Sequence, residues 1–424
     1  MSAQRIAVVG GGVVGVTTAW SLLRRGHSVD LYEREETAAT GATASNAGLI
    51  VPGDSLVWGT PSAIGMLARS LLARKQSFIR VRAGAGPSLV PWGLRFLREC
   101  LPSRMRRNVR AAHALSSYSL DRLQELQAEL GLDFSFEANG MAFLAGSPEH
   151  LAALAEERGQ LAAAGERYES YAGARFTEVD PGFAAAATGL GGVLYTTGSA
   201  HGDARAFTLQ LLQRAVDGGL TVHSATEVRA IESQARAVTG LVTPGGSRSF
   251  DAVVLAAGAR TAELARTAGL RLPILPAKGY AATVPIRPGA SVADVGGVDE
   301  RAHVAFSRMG DALRLSSTAE FAGYDSGSNP GDYDSIRATG DRLFPGALDW
   351  AGAEFHVGWR PATPDGNPIL GRTALRGLYV NSGHGHLGWT QAAGSAEIVA
   401  DQIDGIEPAI DTQPYRTPRG RTRR

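Results

Sequence analysis

The chain has a single cysteine, Cys100, in 424 residues. That excludes an intrachain disulfide and suits a reducing, cytoplasmic setting. Lysine is almost missing as well. Only Lys75 and Lys278 occur, so forty of the 42 basic residues are arginine. Net charge is close to zero, at +1 from 42 basic and 41 acidic residues, and bulk electrostatics therefore select no partner. No uninterrupted apolar run approaches the ~20 residues of a membrane-spanning helix. Internal repeats, low-complexity linkers and nucleic-acid-binding motifs are absent, and no metal is expected. What remains is ordinary for a soluble globular protein: 44% apolar and 20% charged residues. The length exceeds the roughly 250–300 residues that one core serves, so two domains are expected.

The first stretch, RIAVVGGGVVGVTTAWSLLRRGHSVDLYE, is the most informative. Residues 6–9 are the β-branched run of a doubly buried strand. Gly10, Gly12 and Gly15 follow in G-x-G-x-x-G spacing, and Val13 and Val14 open a helical pattern that Gly26 ends. Gly10 permits the tight turn, Gly12 a backbone approach to a pyrophosphate, and Gly15 close helix–strand packing. The helix start offers free N–H groups and a positive dipole end. A second strand, 28–32, leads to Glu33 and Arg34. Glu33 stands eighteen residues past Gly15, where a carboxylate accepts hydrogen bonds from an adenosine ribose. A glycine pattern alone is weak. Strand, helix, second strand and acid together indicate a dinucleotide site, and their continuity excludes the apolar core of an export signal.

Residues 40–53, TGATASNAGLIVPG, are small and polar. Ala44, Ser45, Asn46, Ala47, Gly48 and Leu49 are candidates to line the cofactor. Residues 61–110 carry eleven basic residues against one acid, Glu99, interleaved with Trp92, Phe96 and several leucines. That mixture suits an anionic membrane surface; a solvated helix face over a second domain accounts for it equally. Helices are expected over 111–130 and 148–164, with a strand at 141–145 between them. From 190 the pattern of strand, helix, strand, strand and an AAG turn reads as the nucleotide domain resuming. It brings Val228 near the adenine, and Ala257 and Gly258 near the cofactor. Strands are expected at 221–223, 227–231, 237–243, 303–306, 312–317 and 319–324. Near the C-terminus, strand 378–381 runs into Gly383, His384, Gly385, His386, Leu387 and Gly388, and Trp389 begins a helix. Such a helix end stabilises negative charge on a reduced ring. The tail, 411–424, is basic and expected to be disordered.

These motifs resemble the D-amino acid oxidase superfamily of FAD-dependent oxidoreductases, most like its bacterial D-amino acid dehydrogenases. The resemblance rests on GGGVVG with Glu33, TASNAGLIVPG, PAKGY, GWRPATPDGNPILG and NSGHGHLGWT, in order along nearly the whole chain. It implies a Rossmann-like α/β FAD-binding domain from discontinuous segments (1–60, 190–270, 350–410). An α+β substrate domain built on an antiparallel sheet would come from 61–189 and 271–349. It implies noncovalent FAD, because Cys100 is far from the late cysteine that covalent relatives use. By resemblance, Arg360 binds the substrate carboxylate, which fits a planar guanidinium. Tyr280 could bond the same carboxylate or serve as a core residue. His384 and His386 could bind substrate or hold the loop.

The family's dehydrogenases usually have threonine where His386 stands, and relatives acting on cyclic secondary amines more often show GHGH. The expected reaction is therefore oxidative deamination of D-amino acids. Oxidation of proline, hydroxyproline or sarcosine is the alternative, and a flavin-binding protein without turnover is the alternative of another class. Quinone or oxygen would accept the electrons. The chain would be cytoplasmic, with contact at the inner face of the membrane if residues 61–110 bind lipid.

Overall fold

The computed structural model describes residues 3–61, 79–82, 84 and 86–417. Strand β1 (Arg5–Val9) is buried from Ile6 onward and leads through the glycine turn into helix α1 (Val13–Arg24). Gly10 has φ +118°, and a Cβ there would lie 2.5 Å from the Ala256 carbonyl oxygen. A Cβ at Gly15 would lie 1.8 Å from the carbonyl oxygen of Gly10. Only glycine lets helix and strand meet this closely. Gly26, at φ +83°, ends the helical segment, and β2 (Ser28–Tyr32) returns parallel to β1.

Six strands form the nucleotide-side sheet, in the order Ile369–Arg372, Leu378–Ser382, Ala252–Leu255, β1, β2, Thr221–His223. All neighbours are parallel except the edge strand Ile369–Arg372. This sheet is doubly wound, which places a ligand at the carboxyl ends of β1 and its neighbours.

The larger sheet has nine strands among the described residues. Its path is Glu354–Ala362, β3 (Leu275–Pro285), Ala312–Phe321, Val304–Met309, Gly296–Asp299, Met141–Ala145, Gly192–Thr196, Glu169–Tyr171, with Ile79–Val81 beside Ala312–Phe321. Pairing is mostly antiparallel; the exceptions are Gly296–Asp299 on Met141–Ala145 and Ile79–Val81 on Ala312–Phe321. The strand β4 (Glu354–Ala362) and the strand Gly192–Thr196 thus belong to this sheet, although the sequence division groups both with the cofactor domain.

Helix α2 (Leu89–Glu99) and the long α3 (Pro102–Leu130) follow the segment 62–78, which lies outside the described residues. With it lie Arg69, Arg74 and Lys75 of the basic stretch. Helix α3 starts nine residues before the expected position. Its first turns hold Arg104, Arg106 and Arg107 and so show no apolar periodicity, while Pro102 suits an N-terminal position. The helix expected over 148–164 breaks at Arg158, whose guanidinium turns inward to Glu300 (2.6 Å) and Asp54 (3.1 Å). The strand expected at 227–231 starts at Ala230, because the Thr226 N–H is committed to the Glu33 carbonyl (2.8 Å). The two strands expected over 312–324 are one, Ala312–Phe321.

The C-terminal helix α4 (Gly388–Asp404) is buried over most of its length, between α1 and α3. Beyond it residues 411–417 depart from the expectation of disorder, and 418–424 lie outside the described residues. Tyr415 is 1% exposed in the main core, and its hydroxyl donates to the Ala111 carbonyl at 2.7 Å. A buried aromatic outweighs the local excess of arginine. We expect Tyr415→Ala to cost about 3–5 kcal/mol, as for other large-to-small core changes. Differential scanning calorimetry should show a clearly lower melting temperature; an unchanged one would mean the tail is not docked.

Candidate active site

A cavity of about 660 Å³ begins at the carboxyl ends of β1 and β2 and ends against β4. Its first end is built from Gly10, Gly12, Val13, Val14, Glu33 and Arg34. The Glu33 carboxylate is held by two backbone donors, Gly11 N–H to Oε2 (2.7 Å) and Glu35 N–H to Oε1 (2.9 Å). Each oxygen keeps a lone pair for ribose hydroxyls. Gly11, which the motif reading passed over, leaves room for this contact: a Cβ there would lie 2.9 Å from Oε2. Val228 closes the same end.

The middle is a glycine-lined passage between the start of α1 and residues 40–48. The Val13 N–H donates to Thr43 Oγ1 at 3.0 Å, which ties this segment to the helix end. Ser45 and Asn46 line the passage, as do Ala257 and Gly258 opposite. Ala44, Ala47, Gly48 and Leu49 do not line it; they fix its wall from outside. Arg314 Nη1 donates to the Ala44 (2.5 Å) and Asn46 (3.1 Å) carbonyls, Ser307 Oγ to the Ala47 carbonyl (2.6 Å), and Trp389 Nε1 to that of Gly48 (3.2 Å). Leu49 pairs with His201 in a two-stranded ribbon.

Arg360, His384, His386, Tyr324 and Trp359 line the remainder. Arg360 comes from β4, and its Nη2 donates to Ser316 Oγ at 3.3 Å. A Cβ at Gly279 would lie 2.1 Å from Arg360 Nη1, so the glycine of PAKGY makes room for the guanidinium. Burial lowers the Arg360 pKa to about 10, which leaves it charged at neutral pH. His384 is 1% exposed, and burial takes its pKa down to about 3. His384 Nε2 and Asn381 Oδ1 have no hydrogen-bond partner among the described residues, and both residues line the cavity. Buried polar atoms left open in this way are acceptors or donors for a ligand. The His386 ring opens to the cavity and stacks on Trp58 (5.5 Å between centroids, 7° between planes). Its side chain is exposed towards the cavity, and the surrounding protein and then the Arg360 charge lower its pKa below the ordinary imidazole value. Both imidazoles are neutral at pH 7.

Gly385, Gly388 and Trp389 bring the start of α4 into the cavity wall, and its first turn has no acid. Gly383 and Leu387 lie behind this wall. Thr363 Oγ1 donates to the Gly383 carbonyl (3.3 Å), and Leu387 is fully buried. Gly15 lies behind the glycine turn, against Gly10. Tyr280 is corrected to a core residue. On β3 it faces away from Gly279 and packs edge-on against Tyr333 (5.5 Å) inside the larger domain. Alternation along the strand determines this, since Gly279 already faces Arg360. Sequence reading missed Thr43, Tyr324, Trp359 and Trp58. Thr43 adjoins Ser45 and Asn46 and Trp359 adjoins Arg360 in GWRP, whereas Tyr324 and Trp58 carry no local pattern that marks them.

The arrangement fits a flavin dinucleotide. One end fits a ribose and a pyrophosphate, the middle admits backbone approach, and the remainder combines open polar atoms, a helix N-terminus and the half-buried Arg360 cation. The comparisons agree. The chain is 36% identical over 411 residues to D-amino acid dehydrogenase 2 of Mesorhizobium japonicum, covering 97% of this chain and 99% of that protein. It is 38% identical over 413 residues to a D-amino acid dehydrogenase of Cereibacter sphaeroides, covering 96% and 94%. Among solved structures, glycine oxidase from Geobacillus kaustophilus superposes with a TM-score of 0.74 at 24% identity, covering 99% of this chain and 100% of that one. L-proline dehydrogenase from P. horikoshii also reaches 0.74, at 18% identity over 98% and 97%. The family model described as DAO, FAD dependent oxidoreductase, matches residues 5–402. With that match over nearly its whole length, the chain belongs to the DAO family of FAD-dependent oxidoreductases.

Proposed function

We propose that this chain oxidises D-amino acids with noncovalently held FAD, giving the imine, which water hydrolyses to a 2-oxo acid and ammonia. The observation that carries the reading is the Arg360 guanidinium in the wall of the same cavity that Glu33 and the glycine turn line. The D configuration rests on what the relatives from Mesorhizobium and Cereibacter are named for. When bound, the flavin supplies the acceptor for the hydride that leaves Cα.

The protein's part is orientation. Arg360 offers two parallel N–H donors to a carboxylate in a site sheltered from water, where such a pair is stronger than at a surface. Holding that carboxylate fixes Cα relative to the cavity's inner wall, and fixed geometry of this kind supplies much of a barrier reduction. Gly279 keeps the guanidinium's space open, and Ser316 holds its outer nitrogen. His384 and His386, both with pKa values lowered from the ordinary imidazole range, add no charge at neutral pH that would compete for the carboxylate. His384 Nε2 is free to hydrogen-bond within the cavity. The start of α4 places its N–H dipoles beside the same wall, where they favour developing negative charge. The substrate amine enters neutral, its proton left to water. Noncovalent binding is supported by Cys100, the only cysteine, which is buried beside Trp92 and Phe96 away from the cavity lining.

We also propose that electrons leave to a lipid-dissolved quinone rather than to oxygen, with the chain peripheral on the cytoplasmic face of a membrane. No helix among the described residues is long and apolar enough to cross one. The excess of arginine between residues 79 and 110 supports this placement.

Three outcomes are expected. Arg360→Leu should keep its FAD yet lose roughly a hundredfold or more in kcat/KM with a dye as acceptor, an effect of about 3 kcal/mol. Near-normal kinetics would place the carboxylate elsewhere. In the wild type, kcat/KM should fall as pH rises through about 10, because a cation whose pKa is depressed loses its charge at the high-pH side. The same limb should be missing in Arg360→Leu. Acid precipitation should release all flavin as free FAD, and yellow colour left on the denatured chain would refute noncovalent binding.

A further inference from the structure

The outer face of α2 has no counterpart in the catalytic account. The inner face of this helix packs Trp92 and Phe96, each 7% exposed, against Leu275, Ala277, Phe321 and Ala362. Trp92 Nε1 donates to the Ala362 carbonyl at 3.1 Å, two residues from Arg360. Trp58, stacked on His386, packs against the same cluster. The helix is thus bolted to the substrate end of the cavity.

On the opposite face stand Val90 (67% exposed), Leu94 (66%) and Leu97 (38%), at helical spacing, with Leu101 (53%) just past the helix. Single exposed apolar side chains are ordinary, but a row of them along one helix face marks an interaction surface. Arg95 and Arg98 flank the stripe on α2, and Arg106, Arg107 and Arg110 stand exposed at the start of α3. None of these five forms an ion pair with an acid among the described residues. Of the acids nearby, Glu99 is taken up by Arg104 (2.8 Å) and Asn108 (3.1 Å), and Asp365 lines a pocket it shares with Arg95 and Arg98 without pairing to either. The surface therefore shows apolar side chains inside a rim of uncompensated positive charge.

We propose that the outer face of α2 docks the protein onto an anionic lipid surface, with Val90, Leu94, Leu97 and Leu101 entering the acyl boundary. The flanking arginines then meet lipid phosphates. The stripe suits the in-plane insertion of an amphipathic helix, and the unpaired arginines select anionic over neutral headgroups. A protein partner would call for matching acids, whereas a bilayer supplies phosphate along the entire rim. The proposal rests on the quinone reading for its purpose and on α2 alone for its geometry. Through Trp92 and Trp58 it sets the substrate end of the cavity close to the membrane.

The test is co-sedimentation of the holoenzyme with vesicles of phosphatidylglycerol and phosphatidylcholine, or of phosphatidylcholine alone, across a salt series. Wild type should pellet with the anionic vesicles at low salt. Binding should weaken as the Debye length shrinks below roughly 8 Å. Leu94→Glu should lower the partition coefficient about tenfold or more, and Leu94→Ser by less. Leu209→Glu, at an exposed leucine on another face, should bind as wild type does. Dye-coupled amino acid oxidation should be the same in all four proteins, which separates lost docking from lost folding or catalysis. Vesicle binding by a chain that oxidises no amino acid would sink the catalytic reading and leave the docking surface standing. Absent wild-type binding, equal binding by Leu94→Glu, or a Leu94-dependent dimer without lipid binding would each overturn the proposal.

Discussion

Everything in this molecule hangs on a backbone contact at the end of β1. The Gly10 carbonyl lies where a Cβ of Gly15 would be, and Gly10 itself lies against Ala256. No residue but glycine fits either place, so α1 is fixed close over the sheet and its N-terminus opens at the carboxyl end of β1. The sheltered core then grows outward from α1. Helix α4 packs along it, α3 packs on α4, and the tail closes on α3 through Tyr415. Because α4 is held by α1, the loop before it, with His384 and His386, lies in the same cavity as the glycine turn.

The second constraint is the joint between the two sheets. Arg314 reaches from the larger sheet to the carbonyls of Ala44 and Asn46, and burial lowers its pKa. A buried guanidinium bonded to backbone carbonyls is costly to leave unmatched, which makes the joint specific in register. On the same side, a Cβ at Gly358 would sit 1.8 Å from Ser45 Oγ, so β4 and the cofactor segment touch directly. These contacts bring Arg360, two residues on, into the wall of the cavity that Glu33 also lines. Neither sheet alone contains the site.

Much of this was legible in the sequence, and what was not has physical causes. The glycine turn, Glu33, the AAG turn and the GHGH loop act through backbone conformation over a few residues, and local spacing reports that well. Helix 204–217 is set locally in the same way, since the Asp203 carboxylate accepts from the N–H groups of Arg205 and Ala206. Arg158 shows the limit: its helix breaks to satisfy Asp54 and Glu300, residues 104 and 142 positions away. Tyr280 shows another. Which face of β3 it takes depends on where Arg360 comes to rest across the strand pairing. Tyr324 reaches the cavity through tertiary packing alone, with its hydroxyl bonded to the Ala259 carbonyl (2.9 Å). The expectation of disorder fails over residues 411–417 because one tyrosine decides their packing.

The most direct test of the account is anaerobic mixing of the holoenzyme with single amino acids in a stopped-flow spectrophotometer. A panel of D- and L-amino acids, prolines and N-methyl amines separates the possible donors, and no acceptor other than the bound flavin is present. The account predicts rapid loss of the oxidised flavin spectrum with D-amino acids, one ammonia released per flavin reduced, and no fast reduction by the L-enantiomers. Reduction confined to prolines or sarcosine, with D-amino acids inert, would contradict it.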